Sequence, residues 1–130
     1  TIVLAGLTVE MTPAPSDADD SLTIWFPELD VCVHNIAWPV LFNVFAIRGE
    51  EYRDPRVLLT GIDHLRSLGA EHLVATHGPP MSGAAEIARR VTAYRDSIQF
   101  LRDQTVRGVN QDLPAAELAA FVQLPEVFAG

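Results

Sequence analysis

Apolar positions along this chain change period as the chain advances. Thr1 to Met11 is apolar and rich in β-branched residues, which predicts a strand, with Gly6 as a possible bulge. Thr12 to Ser21 carries Pro13, Pro15, Ser16, Asp17, Asp19 and Asp20, all turn formers, and reads as a loop. Leu22 to Phe26 reads as a strand stopped by Pro27. Glu28 to Asp30 makes a tight turn and Val31 to Val33 returns, which is a hairpin pattern. His34 to Gly49 is mixed and apolar, with Trp38, Pro39, Phe42 and Phe45, and is expected to form a loop or short helix.

Helical spacing begins at Asp54-Pro55, an N-cap followed by proline at the first helical position. Val57, Leu58, Ile62 and Leu65 then share one face, and Gly69 ends the helix. Leu73 to Ala75 is a short buried strand, and Thr76 to Gly83 a loop stiffened by Gly78, Pro79 and Pro80. A long helix is predicted from about Ala84 to Arg107, because Ile87, Val91, Tyr94, Ile98 and Leu101 form a continuous stripe. Pro114 opens a last short helix through about Val122. Strands first, then a helix–strand–helix unit, predict an α/β layered half-domain. No internal repeat or low-complexity tract interrupts this order.

Composition narrows the partners. The 130 residues are 48% hydrophobic, enough for one domain with a real core, and the mean hydropathy is +0.17. The formal net charge of −8 argues against nucleic acid and against anionic membrane surfaces. All nine basic residues are Arg, which genome composition bias explains, although each Arg is also a side chain that can grip oxyanions bidentately. Cys32 is the only cysteine, so an intrachain disulfide and a cysteine-rich zinc site are excluded and the redox compartment stays open. No apolar run reaches membrane-spanning length, and Thr1 to Val9 lacks the basic start and cleavage pattern of a signal peptide. Localisation is therefore undetermined: a soluble protein, cytoplasmic or periplasmic/secreted. An opening Thr rather than Met fits a processed product or a fragment.

The sharpest local signal is Ala75-Thr76-His77-Gly78-Pro79-Pro80. A short strand delivers His77 to a stiff loop, which is how an imidazole metal ligand is held. A histidine that caps the following helical region fits the same letters. His64, inside a helix, and His72, before a strand, read as surface or helix-end histidines. Glu10 follows a strand, and nothing in its spacing demands a role.

Thr76-His77-Gly78-Pro79 resembles the late histidine motif of the metallo-β-lactamase superfamily. Thr12-Pro13-Ala14, Ser21-Leu22-Thr23-Ile24-Trp25 and Val31-Cys32-Val33 resemble the second-half loop and hairpin of that fold. Leu41-Phe42-Asn43, Ile47-Arg48-Gly49 and Tyr52-Arg53-Asp54-Pro55 are similar to a segment of the alkyl sulfatases. So are Tyr94-Arg95-Asp96, Phe100 to Arg107, Asn110-Gln111 and Glu117-Leu118-Ala119, which resemble the entry to that family's helical dimerisation region. The resemblance implies an α/β fold: half of an αββα metallo-β-lactamase-like sandwich over residues 1–83, then dimerisation-type helices over 84–130. It implies a metal-dependent hydrolase that cleaves sulfate esters using two zinc ions and a zinc-activated water. A homodimer through the helices of 84–122 and a small-molecule sulfate ester substrate complete the expectation.

Carried over by position, the resemblance makes His77 a metal ligand. Asn43 and Arg48 match positions that grip the sulfate, where an amide and a guanidinium offer several donors. The plainer alternative for Arg48 is a surface ion pair with Glu50 or Glu51, and the shared Arg-Gly context favours the sulfate role over it; Asn43 alone would be a turn residue. Asp17 is the best match to an acidic ligand, although three acids in four residues also fit a solvated turn. Where the family has a bridging glutamate this chain has His34-Asn35. With one gap His34 takes the ligand position; without it Asn35 does, and a neutral amide is a weak bridge between cations. The family's His-x-His-x-Asp-His motif is absent and is expected upstream of residue 1, so the isolated chain is expected to be inactive. An open sheet edge and a bare apolar face are expected to make the chain alone dimerise, aggregate or pair with its missing half.

Two other readings stand beside this one. The first is a metallo-hydrolase of the same fold acting on another ester or a lactone with at most one metal. The second is a non-catalytic dimerisation module built on the Ile87 to Leu101 stripe.

Overall fold

A computed structural model of the chain describes residues 1–16, 18–36 and 52–128. Among these, six strands neighbour one another in chain order, β1 (Ile2–Leu4), β2 (Leu7–Pro13), β3 (Leu22–Phe26), β4 (Val31–His34), β5 (His72–Ala75) and β6 (Met81–Ser82). Every pairing is antiparallel except β4 with β5, which run parallel. A parallel pair needs a crossover, and α1 (Pro55–Ser67) lies within that connection. The chain then continues through α2 (Ala84–Asn110) and α3 (Ala115–Phe121).

The first segment differs from the single strand its composition predicts. Ala5 and Gly6 both have positive φ, 51° and 83°, and fold the segment into a hairpin pairing Leu4 with Leu7. Gly6 serves a tight turn there, not a bulge. The second hairpin forms as expected around Pro27–Leu29, with Asp30 at φ 52°. A long-range tie secures it, because Thr8 N–H donates to the Glu28 carboxylate at 3.0 Å.

Helix α1 starts where the Asp54-Pro55 pair predicts: the Asp54 carboxylate accepts from the Arg56 N–H at 2.9 Å. It stops at Gly69, whose φ is 63°. Leu58, Ile62 and Leu65 face inward, but Val57 is 45% exposed and stands off the predicted face. Gly61 lies against Ala14, where an added Cβ would sit 3.2 Å from the alanine's own. Helix α2 has Gly83 at its start and takes its capping acceptor from another segment, since the Ala84 N–H donates to Glu71 Oε2 at 3.1 Å.

One apolar core joins these parts: Cys32 and Ile36 from β4 and its exit, Leu58, Ile62 and Leu65 from α1, Leu73 from β5, and Ile87, Val91, Tyr94 and Ile98 from α2. Arg95 of α2 pairs with Asp63 of α1 at 2.9 Å and ties the two helices at the edge of that core. The core therefore spans both sides of residue 83. Beyond Ile98 the helix is different: Val106 and Val109 are exposed, and only Gly108 is buried, under Leu118 and Phe121 of α3.

Candidate functional site

Parallel pairing aligns the carboxyl ends of β4 and β5 at one rim. His34 stands in register with Ala75, and the Thr76 N–H donates to the His34 carbonyl at 3.1 Å. The pairs His34-Asn35 and Thr76-His77 thus leave the sheet side by side. Their side chains interlock: Thr76 Oγ1 donates to Asn35 Oδ1, and Asn35 Nδ2 donates to Ser21 Oγ at 3.0 Å. Three chain segments, the entry to β3 and the exits of β4 and β5, are stitched together by neutral groups.

His34 is buried, 2% exposed, on the core side of β4 with Cys32. The Ile36 N–H donates to its Nδ1 at 3.2 Å. A backbone N–H only donates, so Nδ1 is an acceptor and the proton of the neutral ring sits on Nε2. Burial pushes the imidazole pKa down to about 4. His77 is exposed on the loop beyond β5. Cys32 is fully buried, and burial raises its thiol pKa to about 12, which removes it as a nucleophile.

Asp17, Asn43 and Arg48, expected as ligand and sulfate contacts, lie outside the described residues, as does the 37–51 stretch with its aromatic residues. Among the described residues, Ser16, Asp19, Tyr52, Arg53 and Leu58 line a small cleft of about 100 Å³. His72 is bonded to Ser82 across the β5–β6 pair at 2.8 Å, a structural contact. Glu10 is exposed on β2 opposite Trp25. Among the described residues no three His, Cys, Asp or Glu side chains gather closely enough to hold a metal ion. These residues do not by themselves fit a zinc centre. Reading letters one at a time misses the Ser21–Asn35–Thr76 bridge, because only the parallel register shows that Asn35 and Thr76 meet.

No protein-family profile matches the chain. Over 129 residues it is 36% identical to a linear primary-alkylsulfatase of a Pseudomonas strain, covering 98% of this chain and 24% of that protein. Over 116 residues it is 31% identical to an alkyl/aryl-sulfatase of Saccharomyces cerevisiae, covering 85% and 18%. This chain is a homologue of the alkyl sulfatases. It spans about a quarter or less of the length of these relatives. The solved structure of a stereoselective inverting sec-alkylsulfatase, Pisa1 from Pseudomonas, superposes with a TM-score of 0.85 at 26% identity, over 95% of this chain and 20% of that one. A metallo-β-lactamase family protein from Thermus thermophilus gives a TM-score of 0.61 at 21% identity, over 82% of this chain and 35% of that one. The alkyl sulfatase homologue thus has a partial α/β sandwich of the metallo-β-lactamase type.

Proposed function

We propose that this chain forms part of a metal-dependent hydrolase that cleaves alkyl sulfate esters, taking up water and releasing an alcohol and sulfate. The observation that carries the reading is the β4–β5 rim. It sets the pairs His34-Asn35 and Thr76-His77 side by side along the backbone at the carboxyl ends of parallel strands, where open α/β sheets bind ligands. The 36% identity to an alkylsulfatase supports an alkyl sulfate as the substrate of the whole protein. In this reading His77 is one ligand of a zinc site whose remaining ligands, Asp17 among them, lie outside the described residues. Asn43 and Arg48 hold the sulfate oxygens, the guanidinium offering paired donors to a tetrahedral anion. The helices of 84–122 are the pairing surface of a homodimer, supported by the exposure of Val106 and Val109 on the second half of α2. No helix among the described residues is long and apolar enough to cross a membrane.

The test joins metal content to product release. Elemental analysis of the protein carrying this chain is expected to find zinc, with a clear loss in His77→Ala. Sulfate release from a linear alkyl sulfate is expected to fall at least tenfold in Arg48→Ala. Zinc retained in full by His77→Ala overturns the ligand assignment, and sulfate release unaffected by Arg48→Ala overturns the substrate contact. The Asn35 amide, tied between Ser21 and Thr76, favours a second reading: a single-metal ester or lactone hydrolase of the same fold. Turnover of a lactone but not of an alkyl sulfate would select it.

A further inference from the structure

We propose that His34 is a positioning residue that acts through hydrogen bonds, and that the end of β4 supplies no metal ligand. A zinc ligand must present a bare nitrogen lone pair. On His34 the Nδ1 lone pair is occupied by the Ile36 N–H at 3.2 Å. The ring proton is consequently on Nε2, which makes that atom a donor. Turning Nε2 into a ligand would require moving the proton to Nδ1, where it would face the Ile36 N–H head on. Two hydrogens would then oppose each other inside a site that is 2% exposed.

The neighbouring residue is committed too. Asn35 accepts from Thr76 Oγ1 and donates to Ser21 Oγ, so its amide spans two strands as a strut. Neither His34 nor Asn35 carries negative charge, and bridging two cations calls for an anion. The His34–Ile36 contact has its own task. Ile36 is 2% exposed and belongs to the core, so the imidazole pins the chain as it leaves β4 and keeps Asn35 aimed at Thr76. Any metal held at this rim would then draw on His77 and not on β4. The consequence for metal binding rests on the hydrolase reading; the ring tautomer does not.

Nitrogen NMR of the protein labelled in its histidine rings separates the two. In the metal-free protein the His34 ring is expected to show the Nε2–H form, and the Nδ1–H form would overturn the proposal. On adding zinc, the His77 ring signals are expected to move while those of His34 hold; loss of the His34 Nε2 proton would also overturn it. A second variant guards against misfolding. His34→Asn keeps a carbonyl acceptor for the Ile36 N–H and removes Nε2, so its zinc content is expected to equal that of the parent. A loss as large as that of His77→Ala would show that His34 ligates after all. Failure of zinc to move any histidine, with His34 still protonated on Nε2, would sink the metallo-hydrolase reading and leave the positioning role intact.

Discussion

The middle of this molecule and its margins are built from similar residues in opposite ways. In the middle, β4, β5, α1 and the first half of α2 bury Cys32, Leu58, Ile62 and Val91 to 1% exposure or less. At the margins, β1 leaves Val3 74% exposed and the second half of α2 leaves Val109 54% exposed. Valine is valine in both places; what differs is whether a second layer covers it. The middle has two, helices over sheet, while among the described residues β1 pairs along one edge only and α3 buries no residue fully. Stability is therefore concentrated in the layer that also positions the β4–β5 rim.

The comparison is broken most sharply by emptying the middle. Ile62→Ala is expected to cost about 2–5 kcal/mol, the range for deleting a fully buried aliphatic side chain, read from urea unfolding. A loss under about 1 kcal/mol would mean that the α1 layer is not fixed against the sheet.

Next in size is a pH effect at His34. Its folded pKa, about 4, lies below the unfolded value of 6.5. Between these values the unfolded chain binds the extra proton, so stability is complete above pH 6.5 and is lost as pH falls toward 4. The loss is on the order of 3 kcal/mol. Unfolding midpoints at about pH 7 and about pH 4.5 should separate in the parent and draw together in His34→Asn. Glu86, held down to about 2 by Arg89 and Arg90, responds below that window.

At the margin, Gly108→Ala should matter less and more locally. The added Cβ would stand 2.5 Å from Leu118 Cδ2 and 3.1 Å from the Phe121 ring. Overpacking exceeds the gain in helix propensity by about 1 kcal/mol. Hydrogen exchange should accelerate over 115–121 while the amides of α1 stay protected. The smallest effect is Val106→Lys, within about 0.5 kcal/mol for the folded chain itself. If α2 pairs with a second copy as proposed, the same variant shifts sedimentation toward monomer, and an unchanged profile removes Val106 from any interface.

The same contrast explains what is readable in advance. Leu58, Ile62, Leu65, Ile87, Val91, Tyr94 and Ile98 keep helical spacing because one buried face demands it, and all lie in the core. Asp54-Pro55 announces its helix because capping is local chemistry. The Ala5-Gly6 turn is hidden because apolar residues on both sides mask it and alanine seldom takes positive φ. Gly61 is equally silent, since its use is to let α1 approach Ala14, a contact made far along the chain. At the rim, His77 stands out by its stiff loop. The role of Asn35 depends on Ser21 and Thr76, and that of His34 on which of its nitrogens a backbone amide occupies. Such facts belong to register and orientation and leave no trace in spacing.

The parallel pairing of β4 with β5 has a kinetic side. Hairpins close early because their partners are near in sequence, whereas β4 and β5 must wait until the whole crossover containing α1 is gathered. Until that long closure is complete, His34 and His77 belong to separate, wandering stretches of chain. The rim is thus expected to be among the last features to assemble, and a single cut within the crossover of a nascent chain would leave the antiparallel pairs on either side intact with no β4–β5 rim between them.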